Sequence, residues 1–179
     1  MERTSTHLFL TGEKQVGKST LLRRLSSAVD GRVAGFRTVR TDSFLHDRYS
    51  VHMLPAGQEE AVNSENLLFI CRTDNPDKDA RFDRLGCVLL ENVAGASLIV
   101  MDELGPNEMA AKAFQHAVMN VLDGDVPILG VLQKAESTFL QEVASHPKVE
   151  VIEVTAENRD EWFETLIKRH PFASGEESR

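Results

Sequence analysis

Residues Gly12-Glu13-Lys14-Gln15-Val16-Gly17-Lys18-Ser19-Thr20 spell G-x-x-x-x-G-K-[ST], preceded by the apolar run His7-Leu8-Phe9-Leu10 and followed by a helical pattern. Few folds accommodate such a segment. The glycines let the backbone curl until its N–H groups point inward, and a helix starting there adds the positive end of its dipole, so the loop is built to hold phosphate. Lys18 is then placed to reach β- and γ-phosphates, and Ser19 offers a hydroxyl to Mg²⁺. The stretch from Gly12 through Glu13, Lys14, Gln15, Val16 and Gly17 to Thr20 is therefore the candidate nucleotide-binding loop. A deviant loop whose signature lysine acts across a dimer would need that lysine at position 13. Glutamate stands there, and the extra lysine is Lys14, expected to face solvent or lie along the phosphates.

Hydrophobic periodicity places the loop in an alternating chain. Leu21, Leu22 and Leu25 form an apolar helical stripe, with Gly31 expected to end the helix in a left-handed conformation. Strands are predicted over Val33 to Val39, Arg48 to Leu54 and Leu67 to Cys71, and a helix carries Phe82, Leu85, Leu89 and Val93. The four consecutive apolar residues Leu98-Ile99-Val100-Met101 predict a parallel strand covered on both faces. A helix through Phe114, Val118 and Leu122, a strand over Val126 to Leu132 and a helix through Phe139, Leu140 and Val143 follow. The last pair is a strand over Val149 to Val154 and a helix carrying Trp162, Phe163, Leu166 and Ile167. Strand–helix alternation that begins with a phosphate loop predicts a doubly wound sheet, with ligand at the carboxyl ends of its strands.

An acidic box stands where that geometry requires it. The central strand feeds directly into Asp102-Glu103-Leu104-Gly105. Asp102 is placed to hold Mg²⁺ through a water, and Glu103 to orient or polarise the water that attacks a γ-phosphate. Gly105 completes a D-x-x-G pattern, whose glycine N–H can touch a γ-phosphate.

The phosphate loop, the element Gly35-Phe36-Arg37-Thr38, the Asp102 to Gly105 box and the run Val154-Thr155-Ala156-Glu157-Asn158-Arg159-Asp160 together resemble the small P-loop nucleoside-triphosphatase family that includes the thermophilic NTPases and the cancer-related nucleoside-triphosphatase. The resemblance keeps the same order over nearly the whole chain. It implies a P-loop NTPase three-layer α/β/α sandwich with a mostly parallel central sheet, and slow hydrolysis of ATP, GTP and other nucleoside triphosphates to diphosphate and phosphate. Two departures stand out: Thr38 runs straight into Val39-Arg40 without the acid that members often carry, and Pro106-Asn107-Glu108 follows Gly105.

Phosphoryl transfer spreads charge over equatorial oxygens, which calls for a cation besides Lys18 and Mg²⁺. Arg37 is the leading candidate, with Arg40 near the same strand end. Arg72, Arg81 and Arg84 flank a polar loop that could serve as a lid, and a finger from another subunit is a further option. Gln133-Lys134-Ala135-Glu136 mimics a guanine reader with each end lengthened by a methylene, and reads as a plain strand-to-helix connection. Asn158-Arg159-Asp160-Glu161 either borders the base or caps a helix. Two other function classes use the same phosphate site: a phosphotransferase with a small acceptor, and a nucleotide-switched accessory protein that hydrolyses only as a timer.

Composition narrows the setting. The chain has 179 residues, of which 1–172 are expected to form a single domain and 173–179 a tail. A net charge of -8 argues against a nonspecific hold on nucleic acid. No apolar run reaches membrane-spanning length and the first residues are polar, so a cytoplasmic protein is expected, monomeric or weakly self-associating. Cys71 and Cys87 read as buried bystander thiols. The six histidines show no metal-ligand spacing, which leaves Mg²⁺ as the one metal expected.

Overall fold

The computed structural model describes residues 6–42, 48–108 and 110–169. The expected tail, the polar start and His46 and His170 lie outside these residues. Seven strands form one sheet in the order β4-β3-β2-β5-β6-β1-β7: β1 (His7–Thr11), β2 (Val33–Asp42), β3 (Tyr49–Pro55), β4 (Leu67–Ile70), β5 (Leu98–Leu104), β6 (Ile128–Leu132) and β7 (Val149–Glu153). Every pairing from β2 through β5, β6 and β1 to β7 is parallel, whereas β2–β3 and β3–β4 are antiparallel. The sheet is thus mixed and mostly parallel, as expected, and the three consecutive strands read between Val33 and Cys71 form its antiparallel meander.

Helices cover both faces. On one side α1 (Lys18–Ser27) and α5 (Arg159–Leu166) bury Leu21, Leu22, Leu25 and Leu166 against Leu8, Leu10, Leu98, Val100, Leu129 and Val131. On the other, α2 (Lys78–Glu91), α3 (Lys112–Asp123) and α4 (Thr138–Ser145) bury Phe82, Leu90, Phe114, Val118, Leu122, Phe139 and Val143 against Phe9, Phe36, Ile99, Met101 and Ile128. Leu98 to Met101 alternate between the two cores, which is why this strand is apolar throughout. Each such side chain taken fully out of water stabilises the fold by about 1.5–3 kcal/mol.

Several boundaries differ from the expectation. α1 ends at Ser27 with Ala28 as its right-handed cap; Gly31 does take a positive φ of 103°, but in the turn three residues later. β2 runs on to Asp42, because its cross-strand partner β3 extends beyond the parallel neighbour β5. Cys71 and Cys87 are free thiols, half-buried rather than buried. Among the described residues, no helix is long and apolar enough to cross a membrane.

Candidate functional site

Because β1, β5 and β6 are parallel, with β6 between the other two, their carboxyl ends bring three distant segments to one edge. The first is the phosphate loop, which links β1 to α1. Gly12 has φ +145° and passes so close to the end of β7 that a Cβ would stand 2.3 Å from the Val154 carbonyl oxygen. Gly17, the residue before α1, has φ +102° and supplies no side-chain cap, so the first-turn N–H groups of α1 face the loop interior uncapped by a side chain. Lys18 is buried, and its Nζ donates to the carbonyls of Gly12 at 2.8 Å and Glu13 at 2.5 Å. Lys14 faces solvent.

The second segment is the end of β5. Ser19 Oγ donates to Asp102 Oδ1 at 3.0 Å, joining residues 83 apart in the chain. Burial pushes the Asp102 carboxyl up to about 6; the Ser19 hydrogen bond, Arg23 and Arg37 oppose that rise, and Glu103 adds to it. A hydroxyl and a partly buried carboxylate already in contact form an oxygen donor set suited to a hard cation. Among the described residues, no group of three or more His, Cys, Asp or Glu side chains forms a metal cage. Asp102 and Glu103 are joined by a cis peptide bond.

The third segment is the end of β6, read from sequence as a plain connection. Gln133 Nε2 donates to Glu103 Oε1 in a short hydrogen bond. Gln133 also lies against Gly105, where a Cβ would come within 2.8 Å of its Cδ. The next residue, Lys134, bonds Glu13 Oε1 at 3.2 Å and Glu153 Oε1 at 2.5 Å. Sequence reasoning missed both residues as part of this edge. The available signal was an amide placed immediately after a fully buried strand.

Other candidates are separated by the structure. Arg37 pairs in register with Asp102 on the neighbouring strand and is half-buried. Arg40, three residues on, faces the opposite side of β2, and its guanidinium lies 3.3 Å over the Tyr49 ring. The polar loop after β4 is three strands away from β5, pinned by Asn75, whose side chain bonds both the N–H and the carbonyl of Ile70. Asn158 stands at the N-cap position of α5 without a side-chain capping bond. Its Oδ1 accepts from Thr155 N at 2.8 Å and its Nδ2 donates to Glu153 O at 3.2 Å. The Arg159 side chain covers Gly17, with Cδ 2.6 Å from where a Cβ would stand.

Known proteins carry the same architecture. A family model described as NTPase matches residues 7–167. The chain is similar to the nucleoside-triphosphatase THEP1 of Methanosarcina barkeri, at 36% identity over 84% of this chain and 89% of the relative. It is also similar to the THEP1 of Thermotoga petrophila, at 25% identity over 94% of this chain and 95% of the relative. Among solved structures, THEP1 from Aquifex aeolicus superposes with a TM-score of 0.69 at 23% identity, covering 91% of this chain and 99% of that one. A human cancer-related nucleoside triphosphatase superposes with a TM-score of 0.63 at 24% identity, covering 94% and 99%. With the family model spanning strand β1 to the end of α5, and the phosphate loop and acidic box meeting at one sheet edge, the chain belongs to the NTPase family and is a nucleoside-triphosphatase.

Proposed function

We propose that this edge catalyses Mg²⁺-dependent hydrolysis of ATP, GTP and other nucleoside triphosphates to nucleoside diphosphate and phosphate. The observation that carries the reading is Glu103, an acid next to the Ser19–Asp102 pair that is held in place by the Gln133 amide. In this reading the N–H groups from Glu13 to Thr20 cradle the phosphates. Lys18, which rests on the Gly12 and Glu13 carbonyls, turns its ammonium to the β- and γ-oxygens. Ser19 and Asp102 hold Mg²⁺, which when bound neutralises charge between the phosphates.

Glu103 accepts a hydrogen bond from the attacking water and draws on its proton. Gln133 keeps the carboxylate aimed and leaves its second oxygen for that water. The N–H of Gly105 and the guanidinium of Arg37 supply further positive charge for the transition state. Phosphate release from ATP, GTP, CTP and UTP, with and without a chelator and with no acceptor present, tests the reading. Release from all four that stops on chelation supports it. Tight binding without release assigns the site to phosphotransfer or switching instead.

A further inference from the structure

Acids stand around the phosphate loop alongside Lys14, Lys18 and Arg159. Glu13 opens the loop, Glu153 ends β7 beside it, and Asp102 and Glu103 stand across from both, in a chain of net charge -8. These acids oppose the approach of a triphosphate. One cation meets the first two of these acids: Lys134 bonds Glu13 and Glu153 together. These two hydrogen bonds also hold the Lys134 ammonium more firmly protonated than an ordinary lysine.

The contact has an unusual reach. The main-chain carbonyl of Glu13 is one of the two on which Lys18 rests, so the Glu13 charge stands close to the phosphate-binding lysine. Glu153 carries the carbonyl that anchors Asn158 and with it the turn before α5. Lys134 follows Gln133, which holds Glu103. Two adjacent residues at the end of β6 therefore tie together the loop arm, the acid and the base-side turn. Exposed ion pairs contribute little to folding, and the side chains of Lys134, Glu13 and Glu153 are 44%, 78% and 58% exposed, so stability alone gives this triad little purpose.

We propose that Lys134 supports the phosphate site electrostatically: by neutralising the Glu13 and Glu153 carboxylates, it keeps those charges from opposing the incoming phosphates. The inference rests on the nucleotide reading above and adds a residue to it.

The test is the dissociation constant of Mg²⁺–ATP, with melting temperature alongside, for wild type, Lys134→Ala, Lys134→Arg and the triple variant Lys134→Ala/Glu13→Gln/Glu153→Gln. Lys134→Ala is expected to weaken binding about fivefold at low salt, and the loss to shrink as salt screens the unmasked acids. KM rises with kcat nearly kept, and the melting temperature moves by no more than about 2 °C. Lys134→Arg and the triple variant return binding to within about twofold of wild type, because each removes the uncompensated charge. A Lys134→Ala protein that binds like wild type overturns the proposal, as does a triple variant that stays as weak as Lys134→Ala. If wild type itself binds no Mg²⁺–nucleotide, the nucleotide reading fails and takes this inference with it.

Discussion

The two halves of the sheet handle polar groups in opposite ways. In the antiparallel meander, a buried chain of hydrogen bonds closes on itself. Asn66 Oδ1 accepts from Asn63 N and from His52 Nδ1, at 2.9 and 2.8 Å, while its Nδ2 donates to Ala61 O at 2.9 Å. That arrangement leaves His52 Nε2 as an acceptor for Ser50 Oγ at 2.9 Å, and Ser50 meets Thr41 at 2.5 Å. Every member has its partners, so the network stabilises and specifies the meander. At the carboxyl edge of the parallel half, the polar groups are left ready for something else. Lys18 rests on two carbonyls, burial pushes the pKa of the Asp102 carboxyl up to about 6, and the first turn of α1 has no side-chain cap. Satisfied polar groups mark structure; groups held in provisional contacts mark the place where a charged ligand completes them.

Substitutions break or sharpen this contrast. The largest expected effect is Lys18→Ala, which should weaken triphosphate binding by about 10²-fold or more while leaving the melting temperature close to wild type. Calorimetric titration with Mg²⁺–ATP and a thermal scan read both. On the meander the pattern inverts: Asn66→Ala leaves His52 Nδ1 unpartnered and should cost about 1–3 kcal/mol of stability by urea unfolding, with KM for ATP unchanged. A shift in KM would join the two halves functionally. Gln133→Ala should lower kcat about tenfold with little change in KM, since it loosens Glu103 and touches no phosphate. The smallest effect is on selectivity, where changes at Gln133 or Lys134 should alter the ATP to GTP ratio by less than about twofold.

The opposite edge of the parallel half offers a pH test. His7 is buried and its Nε2–H donates to the Leu122 carbonyl at 2.9 Å, while its Nδ1 has no hydrogen-bond partner among the described residues. Burial lowers its pKa below the ordinary 6.5; the Leu122 bond opposes this, His146 and Lys148 add to the lowering, and Asp125 offsets it. Asp123 in turn bonds His146 at 3.2 Å. A depressed histidine favours folding fully above its unfolded value. That contribution declines as pH falls below 6.5, where the unfolded chain takes up the proton first. Asp102 works the other way over the same range, since its raised carboxyl takes up a proton first in the folded chain and adds stability as pH falls. The His7 share is therefore read by difference: the melting temperature of His7→Gln should gain on that of wild type between pH 7 and pH 5.

Much of this was readable in the chain, and the reason is locality. The phosphate loop and its helix are nine consecutive residues plus an apolar stripe, and Asp102 follows four apolar residues in a row. The sheet's parallel half, with both cores, follows from the same local patterns. What escaped reading depends on long-range pairing. Gln133 meets Glu103 across 30 residues and Lys134 meets Glu13 across 121, with no shared periodicity to announce either. The antiparallel turn of β2 onto β3 is equally nonlocal, and it brought Tyr49 beneath the Arg40 guanidinium. Sequence offered Asn158 as a base contact or a helix cap; it stands at the N-cap position of α5, and its side chain bonds backbone groups of its own turn rather than of the helix.

The proposed hydrolysis depends most on Glu103 acting on water at the triphosphate site. Steady-state phosphate release and Mg²⁺–ATP affinity, measured side by side for wild type and Glu103→Gln, test it most directly. The account predicts affinity within a few-fold of wild type and turnover cut by about 10²-fold or more. Equal turnover in the two proteins would remove Glu103 from the chemistry and contradict the account.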